Sequence, residues 1–75
     1  MRVIDQEKTA ANIRMLMARD NLKVVDVQRH FGFHSDNSVS KWRTGDTLPS
    51  IDNLVELTNL FNCKLDDIIA TRDVK

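Results

Sequence analysis

The stretch SDNSVSKWRTGDTLPS, residues 35–50, decides how this chain is read. It has the look of a short helix, about 36–44, made mostly of polar, hydrogen-bonding side chains. Val39 and Trp42 are the exceptions. Ser35 suits the N-cap, because a hydroxyl there accepts an orphan backbone N–H of the first turn. Asp36 then falls at the first helical position, where an acid favours the positive end of the helix dipole. Val39 and Trp42, three apart, make one apolar stripe. Asn37, Ser40, Lys41 and Thr44 are left facing outward, and Gly45 ends the helix. Capping is therefore the main role expected of Asp36.

Outward from this segment the pattern stays helical. Ile13, Leu16 and Met17 recur at helical spacing from about Gln6 to Asp20, with Arg14 and Arg19 turned elsewhere. Asn21 tolerates the left-handed conformation in which helices often end, and Leu22 is expected to tuck into the core. Val24 to His30 reads as a second helix burying Val27, with Phe31 just beyond and Gly32 as its stop. Pro49 blocks the third helix from continuing. Ser50 caps a fourth, in which Ile51, Leu54, Leu57, Leu60 and Phe61 share a face. After a break at residues 62–64, Leu65, Ile68 and Ile69 point a last helix inward. Nothing alternates at period two over a useful length, so the fold class predicted is all-α, with five compact helices in one domain over 1–75 and a core from 6 to 72.

Composition sets the limits. Seventy-five residues with 41% hydrophobic and 29% charged side chains are typical of a small globular domain. One cysteine, Cys63, leaves no internal disulfide, and its place in the pattern makes it a small buried hydrophobe. No apolar run is long enough to span a bilayer and no leader pattern is evident, so a cytoplasmic location is expected. Net charge is zero, yet residues 1–30 carry six bases against four acids, and residues 50–75 five acids against three bases. That asymmetry offers one weakly attractive face to a polyanion. No nucleophile and base stand together and no glycine-rich loop cradles phosphate, so an enzyme is not expected. His30 and His34 are four apart, but the helix ends between them and no third ligand is near; no metal, cofactor or small-molecule ligand is expected. Met15 and Met17 read as core or a soft contact surface, Asp66 and Asp67 as caps or decoration of the last helix.

Helices two and three are separated by about four residues, Gly32 to Ser35, which is the connection of a helix-turn-helix whose second member lies in a DNA groove. Such a helix is apolar on one side, to be held rigidly, and carries hydrogen-bonding groups and a cation on the other. Any amphipathic surface helix shares that pattern, so polarity alone does not separate the two readings.

NIRML at 12–16, Leu22, then Val27, Phe31, Gly32 and Phe33, are followed by VSKWRTG at 39–45, LPSIDNL at 48–54 and LDDII at 65–69. Taken together, these runs resemble the lambda-repressor-like (Cro/repressor, XRE-type) helix-turn-helix family of bacterial and phage transcription regulators. The resemblance implies a compact five-helix domain whose third helix contacts bases of double-stranded DNA, and a homodimer, at least on DNA. It places base contacts on Asp36, Asn37, Ser38 and Lys41. Backbone contacts fall on Lys23 and Val24 at the start of helix two, on Ser40, Arg43, Thr44 and Thr47, and His34 before the third helix is a further candidate. Trp42 is core, not a stacking platform.

The chain departs from the family pattern at several places. Lys23 and Val24 replace a small polar cap and Gln, which puts one phosphate clamp in doubt, and Gln28 replaces an Ala inside helix two. Arg43 stands where Glu is common and Met17 where its Arg partner would be, so that ion pair is absent and Arg43 is expected to be free for phosphate. Facing DNA, Asp36 would accept from a cytosine amino group or repel phosphate. The rival function is a protein-interaction or antitoxin-like module on the same fold with weak or no DNA binding; Asp36, Val24 and the balanced charge speak for it.

Overall fold

The computed structural model describes residues 1–75. A strand β1 (Arg2–Ile4) is followed by helices α1 (Gln6–Arg19), α2 (Val24–Phe31), α3 (Asn37–Thr44), α4 (Ile51–Phe61) and α5 (Leu65–Ile68), and a closing strand β2 (Thr71–Asp73). The five helices fall where the periodicity places them. The two strands pair antiparallel as a small ribbon, Val3 opposite Arg72. Three residues per strand are too few to show alternation, and the partners lie at opposite ends of the chain, so no local pattern announces them.

Each helix end has a local cause. Asp5 accepts from the backbone N–H of Lys8 at the start of α1, and Ser50 from that of Asn53 at the start of α4. Helices α2 and α5 use another device, an acid in the first turn reaching back. Asp26 accepts from the Lys23 N–H at 2.8 Å and Asp67 from the Lys64 N–H at 2.9 Å, half of a capping box in each case. Asn21 and Asn62, at φ 57° and 52°, end α1 and α4 in the left-handed conformation. The N–H of the next residue then returns to a carbonyl of the last turn, Leu22 to Met17 and Cys63 to Thr58.

Nine buried side chains make the core: Ile13, Met17, Val27, Val39, Trp42, Leu54, Leu57, Phe61 and Ile68. Leu16, Leu22, Leu60 and Ile69 pack against it from the rim. Two residues expected inside are not. Ile51 is 80% exposed and Leu65 45%. Each is the first residue of its helix, and only from the next turn, at Leu54 and Ile68, does the apolar row reach the core. Met15 is exposed as well, whereas Met17 is buried. Cys63 is half-buried, and loss of solvation, helped by Asp67, pushes its thiol pKa up.

Helix α1 is tied to its neighbours by polar side chains. Arg19 forms a forked pair with Asp20, at 2.8 and 3.1 Å, and donates to the carbonyl of Phe61, the last residue of α4. Arg14 does the same for α3 by donating to the carbonyl of Arg43. A cation at a helix C-terminus meets carbonyls that have no intrahelical donor. Asn12 donates to the Ile68 carbonyl at 3.0 Å, which fixes α5.

Thr9 is 1% exposed, and its hydroxyl accepts the Ala70 N–H at 3.0 Å where the chain leaves α5 for β2. Thr9→Val keeps the shape and leaves that N–H without an acceptor. A loss of about 1–3 kcal/mol is expected in urea denaturation; an unchanged midpoint would show that the closing strand does not depend on this bond.

Candidate nucleic-acid interface

Helix α3 is held by its two apolar side chains and by the aromatics of the turn before it. Val39 is wholly enclosed and Trp42 nearly so. The Trp42 ring meets Phe31, at the end of α2, with centroids 5.5 Å apart and planes at 68°, and meets Phe33, in the turn, at 5.9 Å and 75°. Both are edge-to-face contacts, the geometry that the charge distribution of aromatic rings favours. Phe31 and Phe33 also touch each other at 5.1 Å. Three rings thus clasp α2, the turn and α3 together.

The turn runs from Gly32 to Asp36, one residue longer than the sequence reading gave, because α3 starts at Asn37. Gly32 sits at φ 74°, a left-handed conformation, and a side chain there would meet nothing, so backbone geometry alone calls for glycine. Gln28 bridges the turn: its carbonyl accepts from the Phe33 N–H at 3.1 Å and its side-chain amide donates to the Phe33 carbonyl at 3.3 Å. The residue that departs from the family pattern therefore braces the connection.

At the start of α3 the helix begins one residue later than expected, which moves Asp36 from the first helical position to the N-cap. Asp36 is the N-cap: its carbonyl accepts the Ser40 N–H at 2.9 Å, but its carboxylate makes no capping bond. The Ser35 hydroxyl accepts from the Asn37 N–H at 3.4 Å, a long bond. At φ −88° and ψ 3° the Asp36 backbone is not in the extended conformation that normally aims an N-cap side chain at the first turn. The carboxylate is consequently free and exposed.

With Val39 and Trp42 inward, the opposite side of α3 is the row Asn37, Lys41 and Thr44, spaced four and three residues, and all three are exposed. Ser38 is exposed on one flank and Ser40 half-buried on the other. The four residues proposed for base contact therefore all lie open to solvent, Asn37, Ser38 and Lys41 on α3 and Asp36 at its N-cap.

The residues proposed for the sugar-phosphate backbone are more scattered. Lys23, His34, Thr44 and Thr47 are exposed. Val24 is half-buried and packs against the core. Arg43 has no acidic partner, as its sequence context implies, but it is half-buried and its Nε is enclosed without a hydrogen bond. It adjoins Val39 around the helix, which draws its stem inward and leaves only the guanidinium tip to extend. Thr44 donates its hydroxyl to the Lys41 carbonyl at 3.2 Å.

Two positions carry more here than the sequence reading gave them. Gly45, at φ 85°, closes α3 where its backbone lies against α1; a Cβ there would stand 3.4 Å from the Gln6 carbonyl oxygen. Arg14 caps the same end. A cation on the outward row of α1 was the available signal for Arg14, but the partner that gives it meaning is 29 residues away.

On the far side of α2, His30 meets Glu56 of α4 at 2.6 Å, and Asn59 adds a bond to the same carboxylate oxygen at 3.1 Å. The His30 bond first, and the Asn59 bond second, hold the Glu56 carboxyl below its usual pKa. A carboxylate depressed in the folded state contributes stability above its unfolded pKa, and that contribution is lost as pH falls through the lower folded value. His30→Ala is expected to move the Glu56 titration up toward the ordinary glutamate range, read from its side-chain carboxyl by NMR. A titration that does not move would show that the pair is not formed in solution.

These features define a helix-turn-helix domain: two packed helices joined by a braced turn, the second presenting a polar row to solvent. The profile of the Cro/C1-type HTH DNA-binding domain matches residues 12–73, and the chain belongs to that family. Among solved structures, a crystal structure described as that of a candidate DNA-binding protein from Bacteroides fragilis is similar to this chain, with a TM-score of 0.73 at 23% identity. The match covers 93% of this chain and 100% of that one, and at such identity the likeness speaks to the fold. No curated protein matches the chain significantly. The family assignment makes DNA the partner class of this domain. No helix is long and apolar enough to cross a membrane.

Proposed function

We propose that this protein is a sequence-specific double-stranded DNA-binding transcriptional regulator, a repressor, that works in the cytoplasm and reads the major groove with α3. The observation that carries this reading is the exposed row Asn37, Lys41 and Thr44 on a helix anchored from behind by Val39 and Trp42. A rigid helix with its polar side outward fits the width of the major groove, where each base pair presents a distinct set of donors and acceptors. Asn37 has the bidentate amide that matches adenine, and Lys41, one turn on, reaches guanine or a phosphate. Ser38 and the free carboxylate of Asp36 border the row, the latter suited to a cytosine amino group. Lys23, His34, Thr47 and the tip of Arg43 supply backbone contacts that set the register. Repression follows if the occupied site overlaps a promoter.

Zero net charge argues for few phosphate contacts, hence modest affinity for one domain and a shallow dependence on salt. Useful occupancy then calls for a homodimer on two half-sites about one helical turn apart, roughly 34 Å. Selection of bound sites from a random duplex library tests this directly. The expected product is a short, inverted repeated motif. Recovery of unenriched sequence, with flow-through on heparin at physiological salt, would overturn the reading in favour of a protein-interaction or antitoxin-like module.

A further inference from the structure

The terminal ribbon offers an interaction surface of definite register. Met1 and Val74 exchange both main-chain bonds, at 3.2 and 2.8 Å, and the Asp5 N–H donates to the Ala70 carbonyl at 2.8 Å. With Val3 opposite Arg72, the odd-numbered residues of β1 are the ones bonded to β2. The N–H and C=O of Arg2 and Ile4 therefore point away from β2, and nothing in the molecule bonds them. The sheet has two strands only, so the outer edges of both β1 and β2 are open. Ribbons of two short strands are marginal in water unless another strand or layer joins them.

We infer that β1 pairs edge to edge with β1 of a second copy, antiparallel about a twofold axis through Val3, to make a four-stranded sheet across a homodimer. This rests on the reading of the protein as a dimeric regulator and names the surface that joins the copies. Charge selects the edge. Pairing β1 on itself sets Arg2 opposite Ile4 and Val3 opposite Val3, with no like charges facing. Arg2 is already matched within its own chain, to Asp73 at 3.4 Å and to Thr71. Pairing β2 on itself would set Arg72 against Arg72 at the axis, which is destabilising. Pairing β1 on β2 is head to tail and leaves an open edge at each end, which builds strings instead of a closed pair. The β1 pairing gives about four new main-chain bonds, two at each Arg2–Ile4 pair, flanking a close Val3–Val3 contact.

The register makes the test selective. Ile4→Pro removes an N–H that the ribbon itself does not use, and proline is tolerated in an edge strand when its nitrogen faces outward. In sedimentation without DNA, the full chain is expected to run as a dimer and Ile4→Pro as a monomer, with the helical circular dichroism of the two alike. A second variant joins the axis covalently. Val3→Cys in a Cys63→Ser background places two thiols at a non-hydrogen-bonded pair, where Cα atoms about 4.5 Å apart lie within reach of a disulfide. Mild oxidation is expected to give a covalent dimer that reductant reverses.

A parent chain that is monomeric at its highest soluble concentration overturns the pairing. So does a dimer that survives Ile4→Pro, or the absence of a Val3→Cys cross-link. Heparin retention of the same samples reports separately on DNA binding. A monomer that binds DNA sinks only the edge pairing, and a dimer that does not bind sinks only the proposed function. If both hold, Ile4→Pro weakens binding to a paired site about 100-fold, with single half-sites unaffected.

Discussion

Trp42→Ala is expected to unfold a large share of the protein under native conditions. Removing a buried Trp costs about 3–5 kcal/mol, the lost burial plus the cavity left behind. A domain of this length has a total stability of roughly 4–11 kcal/mol at ordinary values per residue. The loss is thus comparable to the whole. The cavity would open where it can least be closed. Phe31 and Phe33 both lean edge-on against the indole and lose that contact together, and Val39 sits beside it on the same face of α3. Urea denaturation followed by circular dichroism measures the effect. A loss under about 1 kcal/mol would mean that the site collapses readily, and that α3 is not held by this side chain. Since the groove-reading proposal requires a rigid α3, that result would undermine it too.

The second large effect is on binding and should leave stability alone. Asn37→Ala and Lys41→Ala each delete an exposed side chain with no partner in the molecule, so unfolding midpoints are expected to stay within about 0.5 kcal/mol of the parent. On the selected operator each is expected to cost about 1–3 kcal/mol, roughly 10- to 100-fold in a gel-shift titration. The two differ in signature. Loss of an Asn37–adenine pair relaxes preference at one base position and leaves the salt slope unchanged. Loss of Lys41 from a phosphate weakens all sequences alike and lowers the salt slope by about one, whereas loss from guanine relaxes one position. Asp36→Asn should raise affinity for random duplex, because the carboxylate caps nothing in the protein and its charge repels phosphate, while relaxing preference at the cytosine that it is proposed to read. Unchanged binding in both Asn37→Ala and Lys41→Ala would remove α3 from the interface.

Helix number, order and extent were legible in the chain because they rest on local physics. Apolar residues recur at helical spacing, Ser50 caps, Asn21, Gly32 and Gly45 permit stops, and Pro49 breaks. Each acts within a turn or two of its own position. The outward row of α3 was legible for the same reason: once Val39 and Trp42 are inside, the helix period dictates that Asn37, Lys41 and Thr44 are outside. Finer assignments failed where periodicity says which side a residue is on but not how far the core extends. Ile51 and Leu65 occupy apolar rows and still stand in solvent, because their first turns begin at the rim. The capping role expected of the Asp36 side chain failed because α3 starts one residue later, which puts Asp36 at the N-cap with a backbone that does not aim its carboxylate at the first turn.

What the sequence by itself determined was the helical framework and the side that each helix turns inward, since propensity, capping and period are properties of neighbouring residues. Tertiary structure alone decided the rest: that Arg14 and Arg19 close the ends of α3 and α4, that Thr9 receives the Ala70 N–H, that Arg43 loses part of its reach to burial, and that the two termini form a ribbon with an open edge. Most of these depend on groups tens of residues apart in the chain. A donor's partner, or a strand's, exists only once packing has brought the distant segment beside it.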